Sequence, residues 1–371
     1  MSGPIRVLHI VTYMGRGGLE TMLMNYYRNI DREKVQFDFL VHRMEKYDYD
    51  DEIESLGGNI YRFNRLNPFS INYKNKLFNF FKEHTEYRIV HCHLDCMSSV
   101  PLKVAKKAGV PVRIAHAHNT NQDKNLKYIL KMYYKRKIKK YSTHLFACSQ
   151  DAGKWMFNTD DFKVLPNAID AKKYMYDLTI RNQIRKELNL NDSIVFGHVG
   201  RFSYPKNHSF LIDIFTELKK IYPNSKLILV GGGDGVPYIK QKVENSKLEN
   251  DVLFLGVRSD VNRILQALDV LVFPSLYEGL PLTIVEAQAS GLPCFISDKV
   301  PIECKKTDLV YQLCLSDSAK KWAEFIQLVL CEFSRINKYE EIVRSGFDVK
   351  ENVKILKEFY SNLHGSRDFH E

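Results

Sequence analysis

The sequence predicts an α/β protein with two doubly wound parallel sheets, each in its own domain. Short apolar runs alternate with helix-like segments, and this alternation begins twice along the 371 residues. Parallel strands need such helical connections between them. Because a single hydrophobic core stops growing near ~250–300 residues, a chain of this length is expected to divide in two.

The first series of elements occupies the N-terminal part of the chain. Its apolar runs have the length of buried strands, and its helical segments carry apolar residues at steps of three and four. The predicted strands are 7–11, 37–41, 60–63 and 89–91, and the predicted helices are 18–29, 74–84 and one after Ser98.

The second series begins after a polar stretch that ends near Asp192. Its predicted strands are 194–199, 226–230, 252–255, 270–273 and 294–297, and its predicted helices are 208–221, 236–246, 261–268 and 282–289. The domains are therefore predicted at 1–170 and 171–348. A last helix, 349–364, has an apolar stripe and is expected to pack back on the first domain.

The charge of the chain is concentrated in its first half. Lys and Arg number 29 against 19 Asp and Glu up to Leu178, and 25 against 25 after it, within a net charge of +10. A one-sided basic surface indicates an anionic partner for that half, either a membrane face or nucleic acid.

No stretch has the ~18 uncharged apolar residues of a membrane span. The seven cysteines are typical of reduced thiols. We therefore expect a cytoplasmic protein.

Glycine-rich turns follow several predicted strands. Residues 15–20 read GRGGLE and open a helix, so the free backbone N–H groups near Gly17 and Gly18 suit a phosphate. A tight turn in which glycine only avoids strain is an equally good interpretation. Residues 231–235 read GGGDG and either permit close packing or line a binding site.

Two cations follow the strand 194–199. Arg201 and Lys206 lie five residues apart on a loop that contains glycine and proline. Arg can grip a diphosphate with its planar fork and Lys can act as a point charge. The alternative is a pair of solvated surface cations. Because ligands bind at the carboxyl ends of parallel strands, the position favours a ligand site.

Residues 273–287 carry the most informative pattern. Glu278 lies in a turn after a strand, the helix start follows at Leu282 and Thr283, and Glu286 comes eight residues after Glu278. The amides at the helix start can hold an anion, and the carboxylates can accept hydrogen bonds from hydroxyls. A ligand rich in phosphate and hydroxyl groups is expected, as in a sugar nucleotide. Two ordinary solvated carboxylates are the alternative.

This segment resembles the paired-glutamate signature of the family 4 glycosyltransferases of GT-B fold. The glycine turn at 17–20, the loop with Arg201 and Lys206, and the residues 165–170 (LPNAID) resemble further motifs of the family, in family order. Residues 113–119 (RIAHAHN) are similar to a stretch of bacterial capsular and exopolysaccharide transferases. The family often has glycine where this chain has Ala168. The resemblance implies two Rossmann-like domains that face each other across a cleft.

The resemblance also implies a role for each matched residue. Arg201 and Lys206 would hold the donor diphosphate together with the amides of Leu282 and Thr283, and Glu286 would bind the ribose hydroxyls. Glu278 and His118 would contact the transferred sugar. The nucleobase would lie near Gly256, Val257 and Arg258. The reaction would be a retaining transfer without a metal or other cofactor, in which these cations stabilise the leaving phosphate.

Histidines follow two strands of the first domain. His116 and His118 lie on one face of a strand, so the spacing alone does not say which reaches the ligand, and the motif favours His118. Residues 91–96 (HCHLDC) contain zinc-type ligands, but neighbouring strand residues point to opposite faces and no second ligand pair follows. We therefore expect no metal site.

The segment 124–140 places lysines at steps of three and four, next to apolar and aromatic residues. This pattern predicts one amphipathic helix whose basic face binds an anionic membrane surface, although a solvated basic face is the alternative. The face comprises Lys124, Lys127, Lys131, Lys135 and Lys139.

The sequence therefore predicts an enzyme with a nucleotide sugar and a saccharide acceptor as partners. The donor is expected to be UDP-linked, and the acceptor to be lipid-linked at the inner face of the cell membrane. A sugar-nucleotide epimerase of similar architecture is the alternative. A basic nucleic-acid-binding protein explains neither Glu278 nor Glu286, and no nucleic-acid motif occurs, so no nucleic acid is expected.

Overall fold

The chain folds into two compact units. The structure, a computed structural model, describes residues 3–119, 128–190 and 192–365. Unit 1 contains the chain up to Ala168 together with the stretch from Val349 onward, and unit 2 runs from Ile169 to Asp348.

Unit 1 is built on a seven-stranded parallel sheet in the order β3-β2-β1-β4-β5-β6-β7. Its strands are β1 (Ile5–Val11), β2 (Val35–Val41), β3 (Ile60–Arg62), β4 (Ile89–Cys92), β5 (Val112–Ala117), β6 (His144–Ala147) and β7 (Lys163–Val164). Its helices before the crossing into unit 2 are α1 (Gly18–Asn29), α2 (Asp50–Ser55), α3 (Ile71–Glu83), α4 (Ser99–Ala108), α5 (Tyr128–Lys135), α6 (Ile138–Tyr141) and α7 (Gln150–Phe157).

Unit 2 is built on a six-stranded parallel sheet in the order β10-β9-β8-β11-β12-β13. Its strands are β8 (Ile194–Val199), β9 (Ser225–Val230), β10 (Val252–Gly256), β11 (Val270–Phe273), β12 (Cys294–Ser297) and β13 (Val310–Leu313). Its helices are α8 (Ala171–Tyr174), α9 (Leu178–Glu187), α10 (His208–Ile221), α11 (Val236–Asn245), α12 (Val261–Ala267), α13 (Leu282–Ala289), α14 (Ala319–Glu332) and α15 (Tyr339–Arg344).

The last helix, α16 (Val349–Gly365), belongs to unit 1. Its buried residues include Val353, Leu356 and Tyr360, which pack with residues of α1 and the sheet. Helices α3, α4 and α7 pack on the opposite face. In unit 2, α10, α11 and α14 cover one face and α9, α12 and α13 cover the other. The predicted fold class of two doubly wound sheets is confirmed.

The strand order places a topological switch point in each sheet. In unit 1, β1 lies between β2 and β4, and in unit 2, β8 lies between β9 and β11. Ligands of such sheets bind outside the carboxyl ends of the strands at this point. The loops after β1, β4 and β5, and those after β8, β9, β10 and β11, are thereby brought to the binding edges of their own units.

The basic helix predicted at 124–140 is wrong in its extent. Lys124 and Lys127 lie outside the described residues. Helix α5 ends at Lys135, a turn follows at 136–137, and Lys139 belongs to the separate helix α6. A periodicity of three and four continues through such a turn in the sequence, although the helix itself does not.

We expect Gly231→Ala to destabilise unit 2. The φ of Gly231 is +143°, and a Cβ there would collide with the backbone oxygen of Gly200. The strained backbone and the clash should together lower the free energy of unfolding by about 1–3 kcal/mol or more. Gly279→Ala is the control, because its φ is ordinary and a Cβ would meet no heavy atom within 4 Å.

The chain has two tryptophans, Trp155 in unit 1 and the fully buried Trp322 in unit 2. In a Trp155→Phe background, the fluorescence of Trp322 therefore reports the urea unfolding of unit 2. Equal urea midpoints of unit 2 in Gly231→Ala and Gly279→Ala would contradict the prediction.

Candidate functional site

Two loops of unit 2 are bound directly to each other beside the switch point. The backbone N–H of Leu276 donates to the Pro205 oxygen over 2.7 Å. The Asn207 side chain donates to the Pro274 oxygen over 3.1 Å. Asn207 itself has a φ of 53°, a left-handed conformation that asparagine tolerates well. These contacts fix the loop after β8 against the loop after β11.

The fixed loops bring Lys206 and Glu278 together. Lys206 Nζ donates to Glu278 Oε1 over 2.7 Å, and the two side chains are 20% and 12% exposed. Lys206 Nζ also lies 4.8 Å from the centre of the Phe273 ring. The two residues are 72 positions apart in the sequence. A cation and a hydrogen-bond acceptor of the predicted site are therefore held in direct contact.

Arg201 lies on the same loop as Lys206 and is exposed. With Tyr204, Asn207 and Asp234, it lines a cavity of about 790 Å³ beside the loop. Gly200, at the start of this loop, is approached closely by the backbone of Gly231. The glycines at 231–235 therefore permit close packing of two loops, which is one of the two roles considered for them.

The start of α13 leaves backbone donors available for an anion. Pro281 is the N-cap residue, and no side chain caps this end of the helix. Leu282 and Thr283, the first two helical residues, are partly exposed. Uncapped N–H groups at a helix start attract negative charge. This helix start follows directly on the turn that carries Glu278.

Glu286 lies further along α13 and accepts a hydrogen bond from the Tyr174 hydroxyl over 2.8 Å. Burial raises the pKa of Glu286 to about 7, and the Tyr174 hydrogen bond acts in the opposite direction. Near neutral pH the carboxyl is therefore divided between its two protonation states. Nothing in the sequence pattern indicated Tyr174, because it lies 112 residues before its partner.

The segment 256–258 follows β10. Gly256 has a φ of +66°, and its oxygen accepts a hydrogen bond from the Gly231 N–H over 2.8 Å. Val257 is 65% exposed. The Arg258 guanidinium makes two hydrogen bonds of 2.8 Å to the Asp260 carboxylate. The segment thus presents an exposed apolar side chain beside a paired cation.

In unit 1, the glycine turn after β1 is covered by a carboxylate of the chain itself. Gly17 is the N-cap of α1 and Gly18 is its first residue. A Cβ at Gly17 would collide with the Glu20 carboxylate, whereas one at Gly18 would meet nothing within 4 Å. Burial raises the pKa of Glu20. An incoming anion would therefore have to displace this side chain.

The most unusual group of the described residues is a cluster of five histidines, four of them buried, on one face of the sheet of unit 1. Its members come from β1, β4 and β5 and from the residues that directly follow β4 and β5. They are His9, His91, His93, His116 and His118. The sequence indicated only the pairs that are close together in the chain.

His118 lies at the end of β5 and is partly exposed, whereas His116 is buried and contacts His91. The backbone N–H of His118 donates to the Asp95 carboxylate over 3.3 Å. Two sets of three could hold an ion by proximity, namely His9, His91 and His93, or His93, His116 and His118. Cys92 lies in the core on the opposite face and takes no part in either set.

The two described lysines of α5 turn toward the protein. Lys135 Nζ lies 4.1 Å from the centre of the Trp155 ring, and partial burial lowers the pKa of Lys135. The charge of Lys131 favours the ionised form of Asp95. Ile129 and Tyr133 are 82% and 52% exposed. The exposed face of α5 is therefore apolar and aromatic, not basic as predicted.

Most of the chain matches two known protein families, one in each half. Residues 16–173 match the family described as Glycosyltransferase Family 4. Residues 180–330 match the family described as Glycosyl transferases group 1.

Known proteins are similar to the chain over nearly its whole length. EpsF of Bacillus subtilis, which bears a glycosyltransferase name, is 36% identical over 96% of this chain and 96% of its own. The capsular polysaccharide biosynthesis glycosyltransferase CapH of Staphylococcus aureus is 26% identical over 96% of this chain and 98% of its own.

A solved structure confirms the fold. HepE of Anabaena, in complex with UDP and glucose, aligns with a TM-score of 0.77 at 20% identity over 96% of this chain and all of its own. At this identity, the likeness supports the GT-B fold and no more. No helix among the residues described here has both the length and the apolar character needed to cross a membrane.

We expect Glu286→Gln to reduce the loss of stability of unit 2 as the pH rises. The folded-state pKa lies above the ordinary 4.5, so the folded unit binds the proton more tightly than the unfolded chain. Stability due to this group is therefore lost between about pH 4.5 and pH 7, by an amount on the order of 1–3 kcal/mol.

The measurement is urea unfolding followed by Trp322 fluorescence in the Trp155→Phe background, at about pH 5 and about pH 8. Glu249→Gln, at an exposed position of the same unit, is the control. If the free energy of unfolding of Glu286→Gln and of wild type differs by the same amount between the two pH values, the burial argument for Glu286 is wrong.

Proposed function

The chain belongs to the family 4 glycosyltransferases, and from that premise we propose a retaining transfer from UDP-sugar to a lipid-linked saccharide in capsular or exopolysaccharide biosynthesis. The observation that carries the donor assignment is the Lys206–Glu278 pair beside the uncapped start of α13. It combines a cation, a carboxylate and free amides within one unit. These three groups suit the phosphates and hydroxyls of a nucleoside diphosphate sugar.

The diphosphate is assigned to Arg201, Lys206 and the amides of Leu282 and Thr283. As the bond from the sugar to the diphosphate breaks, negative charge grows on the leaving phosphate. Donors that are fixed before the reaction stabilise this charge where it develops. Because two side-chain cations and a helix start supply the positive charge, we propose that the reaction needs no metal.

The hydroxyl groups of the donor are assigned to carboxylates. Glu286 binds the ribose, and the Tyr174 hydroxyl orients its carboxylate. When a phosphate oxygen accepts the hydrogen bond of Lys206 in place of Glu278, the Glu278 carboxylate can accept a hydrogen bond from a hydroxyl of the transferred sugar. We assign a contact with the same sugar to His118, on the motif that it shares with the family.

The nucleobase is assigned to the segment 256–258, where exposed Val257 offers an apolar surface. Uracil is proposed because HepE, which has the same fold, was solved in complex with UDP. Gly17 and Gly18 complete the proposed donor contacts, on the resemblance of their turn to that of the family.

The acceptor assignment rests on a basic and aromatic groove in unit 1. The groove has a volume of about 390 Å³ between α3, α4 and the stretch from Tyr133 to Tyr141. Its lysines are Lys74, Lys103, Lys107 and Lys137. The apolar side chains Phe69, Ile71, Ile129 and Tyr133 are exposed by 52–82% in the same part of the unit.

Exposed apolar side chains next to lysines suit a membrane with anionic headgroups, because the former insert and the latter attract. We therefore propose that this groove surface, in place of one continuous lysine face on 124–140, contacts the inner face of the cell membrane. A lipid-linked acceptor would then be presented to unit 1 at the membrane.

We expect Arg201→Ala and Lys206→Ala each to lower kcat by about 10²–10³-fold, because each removes a donor from the developing charge. The assay screens UDP-sugars for UDP release that requires an added acceptor, with EDTA present throughout. Lys186→Ala, at an exposed position of α9, is the control.

Near wild-type turnover of both cation variants would overturn the donor site. UDP release without acceptor would contradict a transferase, and loss of turnover in EDTA would contradict metal independence.

We expect reversal of Lys103, Lys107 and Lys137 to glutamate to weaken binding to phosphatidylglycerol vesicles by about tenfold or more, since each cation near the surface contributes about 1 kcal/mol. Affinity for UDP should not change. The control reverses exposed Lys186, Lys240 and Lys247 of unit 2, which gives the same net charge. Equal vesicle affinities for the two triple variants would rule out the groove surface as the membrane contact.

A further inference from the structure

Three histidines of unit 1 form a continuous row of hydrogen bonds that ends at the carboxyl edge of the sheet. His9 Nδ1 and His93 Nε2 are 3.0 Å apart. His93 Nδ1 and His118 Nε2 are 2.9 Å apart. The two ring nitrogens left over, His9 Nε2 at the inner end and His118 Nδ1 at the outer end, are shielded and have no hydrogen-bond partner among the described residues.

The row consists of neutral rings at neutral pH. Burial lowers the pKa of His9 and of His118 to about 3, and it also lowers the pKa of His93. A neutral imidazole has one N–H and one lone pair. In an unbroken row, each ring therefore donates to the next in the same direction, and only two arrangements of the protons are possible.

The two arrangements differ in what they leave at the ends. If the rings donate inward, the last N–H is His9 Nε2–H. It has no acceptor in the described part of the chain, and the rings of Phe37 and Phe39 are centred 4.2 and 5.6 Å from the His9 ring. If they donate outward, His9 keeps only a lone pair there, and the last N–H is that of His118 Nδ1. A buried N–H without an acceptor is costly, and each arrangement leaves one such N–H among the described residues. His9 is buried in the core, so its N–H would stay without an acceptor. His118 is partly exposed at the carboxyl edge of the sheet, where an incoming ligand can supply one.

We infer that the row donates outward, so that His9 and His93 hold His118 in the tautomer whose Nδ1–H donates to an oxygen of the ligand. His93 is then a positioning residue for His118. The identity of that oxygen, a hydroxyl of the transferred sugar, rests on the proposed function. The direction of the row does not, since it follows from contacts within unit 1.

A second row holds the first in place. Tyr360 Oη lies 2.7 Å from His91 Nδ1, and His91 Nε2 lies 3.1 Å from His116 Nδ1. The rings of the two rows stack, with centres 4.4 Å apart for His91 and His93 and 4.2 Å apart for His116 and His118. Stacked rings resist rotation, which keeps the two nitrogens of each ring in the first row aimed at the same neighbours.

The other ionisable groups that face His118 come from three further elements. Asp95, in the short 3-10 helix after β4, accepts its backbone N–H over 3.3 Å. Cys148, after β6, donates to its backbone oxygen over 3.5 Å. Lys131 of α5 acts on Asp95. Neither Asp95 nor Cys148 is hydrogen-bonded to the His118 ring, so the only ring partner among the described residues is His93.

The test is ¹⁵N NMR of the ring nitrogens in the full-length enzyme without donor, with kinetics on the same proteins. In wild type we expect the His118 proton on Nδ1. His93→Phe keeps a ring in the stack but cannot donate to His118 Nε2, so the proton should move partly to Nε2. The kcat should fall about tenfold or more while KM for the UDP-sugar changes less than about threefold, because the lost contact acts in the transition state.

His93→Asn restores an N–H donor and should recover part of both the Nδ1 tautomer and the kcat. His91→Phe is the matched control, because it lies two residues away on the same face, is equally buried and breaks only the second row. It should leave the tautomer of His118 unchanged. His9→Phe breaks the row at its inner end and replaces His93→Phe if that variant does not fold.

A proton on His118 Nε2 in wild type would overturn the inference. An unchanged tautomer in a folded His93→Phe or His9→Phe variant would do so as well. His118→Ala separates this from the proposed function. If that variant keeps wild-type turnover while NMR of the wild-type protein shows the His118 proton on Nδ1, the sugar contact is wrong and the direction of the row stands.

Discussion

The ion pair of Lys206 and Glu278 is the contact on which the loops after β8 and β11 in unit 2 depend. Both side chains are mostly shielded from water, and neither could be left there without an opposite charge except at a cost of several kcal/mol. The pair also joins the loops after β8 and β11, which one backbone hydrogen bond and the Asn207 side chain hold together. A ligand that is anionic at one end and rich in hydroxyls at the other can replace this pair without stranding either charge.

Much of the fold and part of this site could be predicted because parallel sheets obey simple rules. Apolar runs that alternate with helices require parallel strands, and the carboxyl ends of such strands meet at one edge. Lys206 and Glu278 each follow a strand, so their approach across 72 residues follows from topology. Tyr174 could not be predicted in this way, because it contacts Glu286 from a short helix that precedes the sheet of unit 2.

The histidine rows and the basic helix show where patterns along the chain stop being informative. His9 and His93 are 84 residues apart, and an isolated histidine in a strand gives no sign of a partner. The lysines after residue 124 have helical spacing, but Lys135 packs on Trp155 and the helix ends there. Periodicity predicts which face of a helix or strand a residue occupies. Only the tertiary structure shows which residues pack against that face.

Helix α16 has a consequence for the synthesis of the chain. Tyr360 contacts His91 across 269 residues, and its helix fills the core of unit 1 beside α1 and β2. A ribosome makes all of unit 2 before it reaches this helix. Unit 2 can therefore complete its core during translation, whereas unit 1, although begun first, keeps an open apolar face until α16 has been made. Synthesis of α16, not completion of its own sheet, closes unit 1, and apolar surface that stays exposed until then favours aggregation of the partly folded chain.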